Sequence, residues 1–368
     1  MRDRVGRERL SAARAAVVAA ELDVALVCGS GRHHFIGANL AWWFSGVRQL
    51  GRDMIVAVPA SGDPVLLVTP SWDVQRVSRR SWIADVLGVD DVASAVGGLL
   101  RSRGWKRVGV AGRDAASPAL AAALGDARDV ALPTGHDEWS LACIERAVGI
   151  AEAGYRHLVA TARPGMREYA LAAEADAHMR ELGADDNFLL ISASQHNRAV
   201  HAPTDRVLER GDVLLGEISP SVDGQFAQIC RSATIGEPDA RVERAYDILR
   251  EAFDAGLAAA GPGVGVPEVA AAINAVVSSH GYERYTRPPY MRTRGHGTGL
   301  APLVPADVSD RSDVVLAPGM AFVLHPNQYF PDAGYLLYGE HVVIEAGGAR
   351  ALSAGPASIE ATDAWVAA

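Results

Sequence analysis

Four polar side chains of different chemistry are spaced so that a single β-hairpin would bring them together. The Asp-Gly pair at 223–224 is typical of a two-residue hairpin turn. If this pair forms the turn, Glu217 lies opposite Cys230 and Ser219 lies opposite Gln228. Because side chains alternate between the two faces of a strand, all four then point to one face. The sequence thus predicts a carboxylate, a hydroxyl, an amide and a thiol together on a half-buried sheet. The alternative is an edge hairpin that turns a polar face to water.

Three segments further along the chain add histidines and another acid. They are Gly295-His296-Gly297-Thr298-Gly299-Leu300, the run from Pro318 to His325-Pro326, and Gly339-Glu340-His341. Taken with Glu217 and Gln228, their order and spacing resemble the family of creatinase, prolidase, aminopeptidase P and methionine aminopeptidase. The catalytic domain of that family has the pita-bread fold. The resemblance implies the same fold here.

The resemblance also implies which residues occupy the metal positions of the family. In its metallopeptidases, five ligands in the order Asp, Asp, His, Glu, Glu hold two metal ions. The matching residues here are Glu217, Gln228, His296, His325 and Glu340. Two carboxylates bridge the ions in the family, whereas Gln228 is neutral and His325 is a nitrogen donor. We therefore expect no dinuclear centre.

A single ion is a separate expectation. His296, His325 and Glu340 match three ligand positions around one of the two family metals. Two histidines and a carboxylate suit Zn²⁺, and with open positions they form the facial triad of non-haem Fe(II) enzymes. Alternatively, His325 and Glu340 bind an organic substrate. The resemblance thus implies either no metal or one divalent metal (Fe, Zn or Mn) per chain.

His201 matches a pocket histidine of the family, which in creatinase is the proton-transfer group. An imidazole suits this task because its unperturbed pKa near 6.5 lets it take and give a proton at neutral pH. We predict that His201 moves the proton, while Glu217 and Glu340 orient the substrate or stabilise its charge. Gln228 and Cys230 would bind the substrate.

Another exchange bears on peptidase activity. The family's peptidases usually carry a second histidine where this chain has Leu303, which cannot donate a hydrogen bond to a tetrahedral intermediate. We therefore expect a creatinase-like enzyme, not a peptidase, that hydrolyses or eliminates a C–N bond of a small amino-acid-like metabolite. Three alternatives stay open. They are a mononuclear metal enzyme (a lyase or a non-haem Fe(II) oxygenase), a catalytically inactive binding pseudoenzyme, and an Xaa-Pro-type metalloaminopeptidase.

The sequence divides near residue 135. Short strands alternate with helices before this point, which predicts an α/β (α+β) protein. The family resemblance implies a creatinase-like amino-terminal domain at 1–135 followed by a pita-bread catalytic domain at 136–368. Predicted strands are 23–28, 54–59, 65–68 and 108–111, and predicted helices are 10–20, 91–102, 138–162 and 168–182. As in creatinase, Arg48 and Arg52 are candidates to bind a substrate carboxylate. The resemblance also implies a homodimer.

Composition limits the classes of partner. The 368 residues are 49% hydrophobic and 21% charged, with a formal net charge of −9, and this acidity argues against nucleic acid or an anionic membrane surface as partner. The cysteines Cys28, Cys143 and Cys230 are odd in number and far apart, so no disulfide framework is implied. With neither a targeting segment nor a run of ~20 apolar residues in the pattern, we expect a cytoplasmic protein.

Overall fold

A computed structural model describes residues 1–31, 35, 37–300 and 303–362. Two compact units make up the chain, the first formed by Met1–Trp139 and the second beginning at Ser140. The helices are α1 (Arg2–Ala19), α2 (Leu40–Ser45), α3 (Val74–Ser78), α4 (Val92–Arg103), α5 (Pro118–Leu124), α6 (Glu138–Thr161), α7 (Glu168–Glu181), α8 (Ala240–Ala259) and α9 (Val266–Val277).

The strands of the first unit are β1 (Val24–Ser30), β2 (Asp53–Pro59), β3 (Val65–Val68), β4 (Asp85–Gly88), β5 (Val108–Ala111) and β6 (Arg128–Asp129). Those of the second unit are β7 (Asp186–Ser194), β8 (Val213–Val222), β9 (Gln225–Phe226), β10 (Ile229–Thr234), β11 (Gly295–Gly297), β12 (Ala321–Leu324), β13 (Gln328–Phe330), β14 (Gly334–Leu336), β15 (Glu340–Glu345), β16 (Gly348–Ala351) and β17 (Glu360–Ala361).

In the first unit a six-stranded sheet runs in the order β4-β3-β2-β1-β5-β6. The apolar runs that predict its strands are buried along β1, β2 and β3, and β2 and β3 form the expected antiparallel hairpin. Helix α4 begins where the Asp91 carboxylate accepts a hydrogen bond from the Ser94 backbone, and it ends at Gly104 in the left-handed region. Helix α1 begins at Arg2, eight residues earlier than its apolar pattern indicates.

The second unit contains two sheets that carry the predicted site. One runs β17-β10-β8-β7, with β9 paired to β8, and the other runs β11-β12-β15-β16. The two sheets meet where Cys230 and Gly339 exchange a pair of backbone hydrogen bonds of 3.0 Å. Helices α8 and α9 pack their apolar faces into the same core, which fits the helical spacing of their buried residues.

The predicted hairpin register is confirmed. Asp223 and Gly224 both have positive φ angles, 46° and 75°, as a type I′ turn requires. Glu217 then pairs with Cys230 across β8 and β10. The long helices predicted from apolar spacing are also present, as α6 and α7. Within the described ranges, no helix has the length and apolarity needed to cross a membrane.

Candidate functional site

A polar cluster lies on the face of β8 and β10 that the hairpin register predicts. Glu217 is partly exposed, whereas Gln228 and Cys230 beside it are fully buried. Asn327 completes the cluster, because its Nδ2 lies 3.4 Å from Glu217 Oε1 and 3.8 Å from Cys230 Sγ. The Asn327 side chain is itself held by the backbone N–H of Tyr338, which donates to Asn327 Oδ1 over 3.1 Å.

The environment of this cluster favours uncharged forms. Burial raises the pKa of the Glu217 carboxyl to about 7, and a contact with the Gln228 amide opposes part of that shift. Burial, followed by the nearby Glu217 charge, also raises the pKa of the Cys230 thiol well above its ordinary value. Near neutral pH, Glu217 can therefore both accept and donate a proton. Cys230 is a protonated thiol and not a thiolate nucleophile.

Two histidines lie together on the other sheet. His296 in β11 pairs with Val323 in β12, and His325 follows two residues later, so both imidazoles are on one face. Their ring centroids are 5.4 Å apart. Burial lowers the pKa of His296, and burial together with the His296 charge lowers the pKa of His325 to about 3. Both rings are thus neutral at pH 7.

Glu340 does not join these histidines. It pairs with Leu324 across β12 and β15, and Leu324 points to the opposite face from Val323 and His325. Its carboxylate instead binds Arg231, with 2.9 Å between Nη1 and Oε1 and 3.0 Å between Nη2 and Oε2. The Ser353 hydroxyl donates to the same carboxylate. The structure therefore brings His296 and His325 together but places Glu340 in a separate buried ion pair.

Arg294 is a supporting residue that the sequence analysis missed. Its buried guanidinium donates to the backbone oxygens of Pro326 and Asn327 and to the Gln328 side chain. The Asn274 side chain accepts a further bond of 2.9 Å from Arg294 Nε. Arg294 thus links the strand that carries His296 to the turn that carries His325 and Asn327. Its position directly before the Gly-His-Gly motif is the one signal that could have identified it.

Asn327 and Arg231 were missed as well. Asn327 lies two residues after His325 in a His-Pro-Asn sequence, and Arg231 follows Cys230. Neither position carries a pattern that predicts a side-chain contact, because each partner comes from a distant strand. Only the meeting of the two sheets at Cys230 and Gly339 brings those partners close.

The remaining predicted site residues are His201 in the second unit and two arginines in the first unit. His201 is exposed, and its Nδ1 lies 2.8 Å from the Ala202 carbonyl oxygen. The segment that carries it is held at Thr204, whose N–H and hydroxyl both donate to Glu168. In the first unit, Arg48 Nε donates to the Gly31 carbonyl over 2.8 Å, and Arg52 is exposed.

The donors at the five positions do not fit a dinuclear metal centre. Glu217 is the one carboxylate of the set that no arginine neutralises, since Glu340 is paired with Arg231. Gln228 supplies an amide where a bridge needs a charged oxygen. Throughout the described residues, no three side chains of His, Cys, Asp or Glu converge to hold a metal ion.

Comparison with known proteins gives the family. The model of metallopeptidase family M24 matches residues 142–351, and that of the creatinase/prolidase N-terminal domain matches residues 9–132. The fold predicted from the motifs, a creatinase-like amino-terminal domain followed by a pita-bread domain, is thereby confirmed.

Individual relatives are named as peptidases. The chain is 33% identical over 171 residues to a probable dipeptidase PepE of Mycobacterium tuberculosis, covering 46% of this chain and 44% of the relative. It is 28% identical over 213 residues to an Xaa-Pro dipeptidase of Pyrococcus furiosus, covering 57% of this chain and 60% of the relative. The prolidase structure from Pyrococcus horikoshii superposes with a TM-score of 0.81 at 20% identity, covering 95% of this chain and 99% of that one.

These relatives correct the expected activity. The prediction of a non-peptidase enzyme is wrong on this comparison, because the named relatives are dipeptidases, and nothing in it supports elimination chemistry. The exchanges at Gln228 and Leu303 therefore do not exclude peptidase activity. The curated relatives are matched over about half of their length, so their substrates are not transferred by identity alone. Since the family model covers more than half of its residues, the chain belongs to metallopeptidase family M24.

Proposed function

We propose that this protein hydrolyses short peptides, with dipeptides of the Xaa-Pro type as the first candidates. The observation that carries the proposal is the state of Glu217, a partly exposed carboxyl whose pKa is raised to about 7 inside a polar cluster. A group that titrates near neutral pH is suited to general acid–base catalysis of amide hydrolysis. The names of the relatives support a peptide as the substrate.

The residues of the cluster suggest how the reaction proceeds. Glu217 takes a proton from water as the water oxygen bonds to the scissile carbonyl carbon. The same carboxyl then gives that proton to the leaving nitrogen as the C–N bond breaks, which yields an acid and an amine. Asn327, 3.4 Å from Glu217, orients the carboxylate during both steps. His201 is the proposed second proton-transfer group, and Glu340 acts through Arg231 as a support of the site.

The side chains at the five family ligand positions limit how many metal ions the protein can hold. The matching family model is that of a metallopeptidase family, and a divalent ion, when bound, polarises a carbonyl and activates water. We propose that this chain holds at most one such ion, Fe, Zn or Mn, and not two. The reason is the loss of bridging carboxylates at Gln228 and His325.

The first unit has a proposed part in substrate binding. Arg48 and Arg52 are candidates for the substrate carboxylate, since a guanidinium pairs well with it. Arg52 is the better candidate of the two, because Arg48 already donates to Gly31.

A peptide screen tests the proposed function. Purified protein would be incubated with Xaa-Pro and other dipeptides, with Mn²⁺, with Co²⁺ and without added metal, and released amino acids measured by mass spectrometry. We expect turnover in the wild type, and a fall of roughly 10²–10⁴ in Glu217→Gln, the usual share of general acid–base catalysis. Glu243→Gln, at an exposed position of α8, is the matched control. If no peptide is cleaved under any of these conditions, the proposal fails.

A further inference from the structure

We propose that the hydrolytic centre of this chain works without a metal ion, and that the Gln228 amide binds the scissile peptide unit where its relatives would place a metal bridge. The inference rests on the proposed function, because it names how the same site binds the same class of substrate. Three features of the described residues carry it.

The first feature is charge. Two divalent cations need several carboxylates around them, and carboxylates are the hard oxygen ligands that such ions prefer. Of the five matching positions, only Glu217 offers a carboxylate that is not already paired. Glu340 is bound by Arg231 through two contacts of 2.9 and 3.0 Å, and both residues are buried. A cation at Glu340 would have to displace this guanidinium or lie beside it.

The second feature is the direction of the side chains. His296 and His325 share one face of their sheet, while Glu340 belongs to the other, as its pairing with Leu324 shows. A mononuclear site made of these three residues would require donors from both faces of one sheet. The two histidines alone are an incomplete donor set for a tightly held ion.

The third feature is a set of buried polar atoms that are short of hydrogen-bond partners. Gln228 is fully buried, and apart from its contact with the Glu217 carboxyl its amide makes no hydrogen bond within the described ranges. His325 Nδ1 and Ser219 Oγ likewise make no hydrogen bond there. Native proteins rarely leave a buried polar group unsatisfied without a ligand or water to pair with it. Atoms of this kind need a polar partner, and a bound substrate can supply one here.

The carboxylate that bridges two metal ions in the family can only accept hydrogen bonds. The Gln228 amide offers a hydrogen-bond donor as well as an acceptor. Its Nε2 can donate a hydrogen bond to the carbonyl oxygen of the scissile peptide bond. This hydrogen bond strengthens as negative charge develops on that oxygen. The reaction stays a hydrolysis. The water oxygen bonds to the carbonyl carbon, the C–N bond breaks, and Glu217 carries the proton from the water to the amine. No oxidant, reductant or metal-bound species takes part.

A combined metal-binding and activity experiment tests the inference. The metal content of the full-length protein, purified without chelators, is measured by mass spectrometry. Calorimetric titrations with Mn²⁺, Co²⁺ and Zn²⁺ follow, and peptide turnover is compared in EDTA and in each ion. We expect substoichiometric metal, no saturable site that depends on His296, and equal turnover in EDTA. Stoichiometric uptake that His296→Ala abolishes, or turnover that EDTA removes and an ion restores, would overturn the inference while the proposed function survives.

The Gln228→Glu variant separates the two mechanisms further. It keeps the size of the side chain, removes the donor and restores a carboxylate at the position where the family places a ligand. We expect turnover to fall by roughly 10²–10³, as for loss of an oxyanion donor, with no rescue by Mn²⁺ or Co²⁺. Gln75→Glu, on an exposed position of α3, is the matched control. Higher metal affinity together with metal-dependent gain of activity in Gln228→Glu contradicts the inference. Absence of turnover in every arm contradicts the proposed function instead, and the titrations then decide the metal question alone.

Discussion

Arg231 and Glu340 form a buried ion pair, with exposed side-chain fractions of 2% and 0% and 2.9 Å between Nη1 and Oε1. Arg231 Nη1 also donates to the Gly339 carbonyl over 2.8 Å, so the pair fastens strand β10 to the start of strand β15. This is the point at which the two sheets of the second unit meet. The carboxylate at this position therefore has a structural partner of its own.

Replacing Glu340 by Gln should destabilise the protein strongly. The Arg231 guanidinium would stay buried with its charge uncompensated, which costs roughly 3–5 kcal/mol of unfolding free energy. Urea unfolding of the second unit measures this loss. The control is Glu345→Gln, which removes an exposed partner of Arg350 and should change stability by less than ~1 kcal/mol. An equally small effect for Glu340→Gln would show that the pair contributes little.

Glu217 should make stability depend on pH. Its pKa in the folded state, about 7, lies above the ordinary value of 4.5, so the folded state binds the proton more tightly than the unfolded state. The unfolding free energy should then fall as pH rises from about 4.5 to 7, by roughly 3 kcal/mol at most, and level off above that. Glu217→Gln should remove this part of the pH profile. The measurement is denaturant unfolding of both proteins at pH 5 and pH 8, and identical profiles would contradict the shifted pKa.

His201→Ala tests the second proton-transfer group. If His201 carries a proton in the reaction, turnover should fall by roughly 10²–10⁴ while the Michaelis constant changes little, because substrate binding rests on other residues. Steady-state kinetics on a peptide found in the screen gives both numbers. His280→Ala, which removes another exposed histidine of the second unit, serves as control. Near-normal turnover of His201→Ala would leave Glu217 as the sole proton carrier.

The hairpin turn should be sensitive to side-chain addition at Gly224. This residue adopts φ 75°, where a Cβ atom is disfavoured, so Gly224→Ala should cost roughly 1–2 kcal/mol. Asp223→Asn should be close to neutral, because Asn-Gly favours the same type I′ turn. Thermal unfolding of the two variants compares them directly. If Gly224→Ala is as stable as the wild type, the turn does not set the register of Glu217 and Cys230.

The protein should form a homodimer in solution, an expectation that comes from the family resemblance. Size-exclusion chromatography with light scattering should give about twice the chain mass of 38.8 kDa. Arg52→Ala, compared under the same conditions, should keep that mass but raise the Michaelis constant for a substrate with a free carboxylate. A monomer at all protein concentrations would refute the predicted assembly.

Local sequence pattern was sufficient to predict the long helices and the pairing of two site residues. The spacing of apolar residues predicts α6 and α7, and the symmetry of a two-residue turn at Asp223 places Glu217 opposite Cys230. Both depend on interactions between residues close in sequence, whose geometry is nearly fixed by the backbone. The order of the Gly-His-Gly and Pro-Gly motifs was likewise enough to identify the family and its fold.

Tertiary structure decided the chemistry of the same residues. Whether Glu340 faces His325 depends on its pairing with Leu324. Its bond to Arg231 joins two residues that are 109 positions apart in the chain and that come together only because the two sheets meet. The pKa of Glu217 depends on burial by neighbours such as Asn327 that no sequence pattern connects to it. Residue types at matching positions determine which groups are available, but distance, face and burial are set by non-local packing, and these control charge and proton affinity.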